Sequence, residues 1–194
     1  MKVLALQIEG FRGIRKAVVV FSEHAVLVGP NGSGKSTILD ALSLTFGRTQ
    51  LVRELTEHDF FGSTPAEATR FRLVATVGGF STEEPDDRHD WFRDGRGVPK
   101  WWNSKTNKAE PQPSADATTL CVQIGLAARF DHDELKVEQL RYFHDDDDLV
   151  DPFDEDAVNP FPNRLLNEIG FFVLPVRRTW EATARGLIGF VQLG

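Results

Sequence analysis

The sequence predicts an α/β fold: a strand, a glycine-rich loop and a helix, joined to an antiparallel β-lobe. Three observations carry this. Ala25-Val26-Leu27-Val28 is a short continuous apolar run that leads into Gly29-Pro30-Asn31-Gly32-Ser33-Gly34-Lys35-Ser36-Thr37. Ile38, Leu39, Leu42 and Phe46 then recur at helical spacing, with Gly47 as a stop. Further on, Leu120, Val122, Ile124, Leu126, Ala128 and Phe130 alternate with their neighbours as in a half-buried strand.

The elements follow in order. Leu4, Leu6 and Ile8 alternate with Ala5, Gln7 and Glu9, giving a first strand that Gly10-Phe11-Arg12-Gly13-Ile14 interrupts. Val18-Val19-Val20-Phe21 is a second β-branched run, and Ser22-Glu23-His24 a turn. Residues 25–28 read as a fully buried strand, because both faces are apolar. Phe71, Leu73, Ala75 and Val77 mark another alternating strand. Asp131-His132-Asp133 fits a hairpin turn before a returning strand from Leu135 to Phe143. The polar stretch from Ser81 to Ala117 reads as a long loop with a short hairpin around Asp94-Gly95. Asn163 to Ile169 predicts a short helix, Phe171-Phe172-Val173-Leu174 a buried strand ended by Pro175, and Glu181 to Leu193 the start of a helix.

Composition limits the function classes. The chain has 194 residues, enough for one core, and a net charge of −7. Its overall surface does not suit a polyanion, so any nucleic-acid contact is a local patch. The lone Cys121 excludes an intramolecular disulfide, and its strand setting argues against a reactive thiol. No apolar run reaches membrane-spanning length, and Met1 to Glu9 lacks a signal-peptide core. The expected location is the cytoplasm. His24, His58, His89, His132 and His144 show no zinc-ligand spacing.

Residues 29–37 fit G-x-x-x-x-G-K-[ST] at every fixed position, which predicts a P-loop. Gly29, Gly32 and Gly34 let the backbone curl so that successive N–H groups, with those of Asn31 and Ser33, converge on an anion. The following helix adds its positive end. Lys35 supplies a full charge to the β- and γ-phosphates of ATP. Ser36 offers a hydroxyl to Mg²⁺, which prefers oxygen ligands, and Thr37 reaches the α-phosphate.

Weaker features accompany it. Residues 88–108 interleave Arg88, Arg93, Arg96, Lys100, Lys105 and Lys108 with Trp91, Trp101 and Trp102. Such a mixture can hold phosphates and stack bases of DNA; it equally describes a hairpin whose tryptophans cover the lobe. The acidic run Asp145 to Asp156 lacks EF-hand spacing and reads as a solvated loop. Arg177 and Arg178 follow a strand as phosphate contacts or as ordinary strand-end charges. Gln139 is a poor fit to a water-orienting glutamine and reads as a polar strand residue.

The segment Gly10-Phe11-Arg12-Gly13-Ile14, with Leu27 to Leu42, resembles the amino-terminal ends of SMC/RecF-like ATPases, most nearly the OLD-family ATP-dependent endonucleases. Leu174-Pro175-Val176-Arg177 resembles that family's strand ending in Pro-x-Arg. The resemblance is specific over residues 1–47. It implies an ABC-type ATPase head divided into a P-loop core at 1–50, a β-lobe at 68–145 and a return strand with the start of a helical region at 170–194. It further implies ATP and Mg²⁺ as cofactors, a homodimer with nucleotide sandwiched between heads, work on DNA, and Arg12 beside the nucleotide. A Walker B strand ending in Asp-Glu, a Leu-Ser-Gly-Gly signature and a Toprim acidic cluster are not in the sequence. The expectation is therefore the amino-terminal portion of a longer DNA-processing or anti-phage endonuclease, slow in turnover alone. The alternatives are a nucleotide-dependent dimerisation or sensor module, and an ABC-transporter nucleotide-binding subunit, which the Phe11-Arg12 segment disfavours.

Overall fold

The computed structural model describes residues 1–47, 54–93, 96–149, 151–154 and 156–172. The expected strand through Val173 and Leu174, Pro175, Arg177, Arg178 and the helix from Glu181 lie outside the described residues, as does the hairpin at Asp94-Gly95.

Alternating residues build one mixed α/β unit around an antiparallel sheet. Strands β1 (Lys2–Phe11), β2 (Ile14–Val20), β3 (Arg70–Gly78), β4 (Lys100–Asn103), β5 (Lys108–Glu110) and β6 (Ala117–Asp131) lie in the order β2-β1-β3-β6-β4-β5. Strand β7 (Lys136–Phe143) also pairs with β6, and the two-residue β8 (Asn159–Pro160) pairs with β7. The 15-residue β6 organises the sheet. One side pairs with β3 from Cys121 to Arg129. Its other side pairs first with β4 and then with β7. The first two strands, adjacent in sequence to the glycine-rich loop, thus belong to the same sheet as the β-lobe.

The sheet's two faces differ in chemistry. On one face Leu6, Ile8, Leu73, Ala75, Val122 and Ile124 are fully buried. They pack under helix α1 (Lys35–Phe46), α2 (His89–Phe92) and α3 (Asn163–Ile169), together with Phe11, Phe60, Phe71, Trp91 and Phe161. Phe71 stacks obliquely on Phe11 and Phe60, with centroids 5.0 and 5.2 Å away. The carboxyl-terminal half of α1 enters this core through Ala41, Leu42, Leu44 and Phe46. Arg141 of β7 caps its end, donating from Nη2 to Leu44 O at 2.9 Å and Gly47 O at 3.2 Å. A cation there opposes the negative end of the helix dipole.

The other face is polar, with Gln7, Arg72, Thr76, Gln123 and His144, and carries Trp102 among Leu4, Ala5 and Cys121. At Gly125 the ring of Tyr142 on β7 lies where a Cβ would stand. Burial pushes the Cys121 thiol up to about 12, so the expected inert cysteine is found.

Three expectations need correction. Residues 25–28 form no strand, and Val26 and Val28 are 83% and 89% exposed. An apolar run becomes a buried strand only when neighbours pair with it on both sides, and among the described residues none does. Leu39, expected on the apolar face of α1, is half exposed, because the core lies under Leu42 and Phe46 instead. The Ser81–Ala117 stretch is more ordered than a loop. It holds α2 and a β4–β5 hairpin turning at Asn107, whose φ of 55° suits asparagine.

Gly125→Ala should lower stability by about 1–3 kcal/mol through overpacking against Tyr142. Tyr142→Leu in the same chain should recover part of it, read from urea midpoints. A pH effect is also expected. Burial, aided by the Lys100 charge, holds His144 at about 4, below its ordinary 6.5. The unfolded chain therefore binds a proton that the folded chain does not, between those values. Stability should be full above pH ~6.5 and fall on the order of 3 kcal/mol as pH drops toward ~4. His144→Gln should flatten that slope in urea titrations at several pH values.

Candidate functional site

The site is built where the β1–β2 hairpin meets the start of α1. Residues 29–34 form an exposed or half-exposed loop. Gly32 and Gly34 hold φ of 81° and 90°, values open to glycine and strained for other residues. Gly34 is the N-cap of α1, and it supplies no side-chain cap. No acidic residue stands in the first turn either. The first-turn N–H groups of α1 therefore lack the side-chain acceptor that a helix start normally has. An anion satisfies both those groups and the helix dipole.

Lys35 folds back over this loop. Its Nζ donates to Gly29 O and Pro30 O, each at 2.7 Å, and lies 3.4 Å from Ser33 Oγ. Its ammonium is thus already at the loop, held by neutral carbonyls that an anionic oxygen can replace. Ser36 is exposed and Thr37 half-buried at the first turn. Asn31 is exposed at the loop tip. The residue types suit a phosphate with a hard cation: a helix start without a side-chain cap, one lysine and a hydroxyl. The loop thus brings together Gly29, Asn31, Gly32, Ser33, Gly34, Lys35, Ser36 and Thr37.

Arg12 sits at the hairpin tip beside this loop, in the left-handed region at φ 48°. Ile14, two residues on, lies 3.6 Å from where a Cβ of Gly34 would be. Arg12 donates from Nη1 to Asp40 of α1, one helical turn beyond Ser36. Its Nε donates to Asp59 Oδ1 at 3.0 Å, and its backbone N to Asp59 O at 2.8 Å. Asp59 is 1% exposed, and its other carboxylate oxygen caps the 3₁₀ turn Glu57–Asp59 by accepting from Thr56 N at 3.0 Å. Neither Asp40 nor Asp59 stands out in the sequence. Only the fold brings them to Arg12.

The 88–108 cluster is largely occupied with the protein itself. Arg88 pairs with Glu168 at 2.7 Å, Arg93 with Asp86 at 2.9 Å and Lys105 with Asp116 at 2.8 Å. Trp91 is fully buried and donates to Glu168 at 3.0 Å. These contacts match the covering hairpin better than a base-stacking strip. The acidic segment is partly tied down as well: Asp145 accepts from Val98 N at 2.8 Å and Asp151 pairs with Arg70 at 3.2 Å. Among the described residues no group of acids, histidines or Cys121 is placed to hold a metal ion. Nor is any described helix long and apolar enough to cross a membrane. Gln139 lies on β7, opposite Ala128 of β6.

In sequence, part of the chain is similar to a RecF protein and to a structural-maintenance-of-chromosomes protein. It is 40% identical over 80 residues to the "DNA replication and repair protein RecF" of Agrobacterium fabrum, over 40% of this chain and 20% of that protein. It is also 40% identical over 48 residues to the "Structural maintenance of chromosomes protein 1" of Arabidopsis thaliana, over 24% of this chain and 4% of that protein. The chain thus spans a fifth or less of the length of these relatives. A family model described as "Protein of unknown function (DUF2813)" matches residues 1–111, and the chain belongs to that family.

Asp59→Ala should cost about 2–4 kcal/mol, because it strands the part-buried Arg12 guanidinium and uncaps the 3₁₀ turn. Asp40→Ala, at a half-exposed site, should cost under about 1 kcal/mol. Chemical denaturation of the two variants checks the order.

Proposed function

We propose that residues 29–37 bind the phosphates of ATP with Mg²⁺, as the ATPase portion of a DNA-processing or anti-phage endonuclease of the SMC/RecF-like class. One observation carries the nucleotide part: the uncapped first turn of α1 opens behind a loop over which Lys35 is already folded. The DNA part comes from the relatives, whose names place them in DNA replication, repair and chromosome maintenance.

In this reading the N–H groups of residues 32–37 donate to the phosphates. Lys35 leaves the carbonyls of Gly29 and Pro30 for the terminal phosphate oxygens. Mg²⁺, held by the Ser36 hydroxyl, supplies neutralisation of the phosphate charge. Arg12 stands beside the nucleotide and, through Asp40, fixes the hairpin against the helix that carries Ser36. Two such heads close on nucleotide as a homodimer. Turnover needs a carboxylate to orient water. Asp40, one turn beyond Ser36, is engaged by Arg12 and does not serve. The chain therefore binds ATP and turns it over slowly. This also favours the second reading, a dimerisation or sensor module that responds to nucleotide without hydrolysis.

Calorimetry with ATP and Mg²⁺ tests the proposal. Lys35→Ala should weaken binding by about tenfold to a hundredfold with an unchanged melting curve, since among the described residues Lys35 bonds only within an exposed loop. Equal affinity in that variant would overturn it. Parallel phosphate-release assays should show little turnover.

A further inference from the structure

The sheet curls so that β2 at one edge and β5 at the other line a single cavity of about 500 Å³ on the polar face, away from α1. This size matches a small organic ligand. Its walls hold hydrogen-bonding side chains where a sheet interior is ordinarily apolar: Gln7, Thr76, Asn107, Gln123 and His144.

Two features place an excess of positive charge around the cavity, and a third leaves a polar atom open beside it. Lys100 is only 6% exposed, and its Nζ lies just behind the wall. It donates to Gln123 Oε1 at 2.6 Å and to His144 O at 3.3 Å, both uncharged. Among the described residues its counter-charge is Asp147 at 3.4 Å, on a loop and 70% exposed. A buried ammonium is costly without close compensation, so this site favours an added anion. Next, Lys16, Arg72, Lys100 and Lys108 outnumber Glu9 and Asp147 around the cavity by two charges. Glu9 is shared between Lys16 and Arg72, each at 3.1 Å. Last, His144 lines the cavity, is 5% exposed, and its Nδ1 has no hydrogen-bond partner among the described residues. A buried polar atom left open is a place for a ligand hydroxyl or amine. Trp102 on β4 adds an aromatic surface to the same wall.

We propose that this cavity is a second ligand site, separate from the glycine-rich loop, for a small phosphate dianion with a planar body and hydroxyl groups, the chemistry of a nucleoside monophosphate. The phosphate lies toward Lys16, Arg72 and Lys108, with the buried Lys100 behind. The planar body rests on Trp102, and a hydroxyl meets His144. The site does not depend on nucleotide binding by Lys35.

The test is calorimetry of AMP, GMP, CMP and UMP, without Mg²⁺, on the purified full chain. At least one should bind. Lys16→Glu and Lys108→Glu, both at exposed positions and checked by thermal melting, should each weaken it about tenfold. Lys35→Ala should leave it unchanged. The Trp102 indole N–H resonance should shift on addition of the bound nucleotide. Absence of binding by all four, or undiminished binding by both charge-reversal variants, would overturn the proposal. Loss of binding in Lys35→Ala would also overturn it, by assigning the ligand to the loop.

Discussion

The placement of the glycine-rich loop depends on the buried carboxylate of Asp59. It accepts from Arg12, which reaches across to Asp40 on α1, and from the backbone of its own 3₁₀ turn. Three segments far apart in sequence therefore meet at Arg12 and its two carboxylate partners. An ion pair at this depth stabilises little in net terms, since desolvation offsets most of the attraction. What it gives is register. Arg12 holds a left-handed backbone that packing alone would not select, and the hairpin tip is thereby fixed against the first turns of α1.

The sheet does the complementary work. Its apolar face carries α1 through Ala41, Leu42, Leu44 and Phe46, so the helix that presents Lys35 and Ser36 is anchored at its far end. Arg141 closes that end from β7. The result is a helix buried and capped at its carboxyl terminus and open at its amino terminus. That asymmetry suits a helix whose working end must face an anion.

Much of this was legible from residue patterns. Alternation exposed β1, β3 and β6, because a sheet with one apolar and one polar face writes period two into the chain, and the turn at Asp131 to Asp133 exposed β7 as the returning strand. The helix after Gly34 was legible from its spacing, and α3 from its short apolar repeat. Residues 25–28 differ. Their pattern is that of a buried strand, yet burial is a property of neighbours, and Val26 and Val28 have none in the described structure. The β4–β5 hairpin was hidden because its turn, Lys105 to Asn107, has no glycine. The Lys100–Gln123–His144 group was hidden for another reason: its members lie on different strands, and only the curl of the sheet joins them. The same holds for Asp40 and Asp59.

The inertness of Cys121 has a practical consequence. It is the chain's single cysteine, it lies within β6, and its thiol is held at about 12. At neutral pH it presents neither thiolate nor accessible sulfur. The natural sequence therefore serves as its own cysteine-free background. A cysteine placed at Ser33, on the exposed loop, would take a fluorophore or spin label alone, and motion at the mouth of α1 could be followed without removing anything from the core.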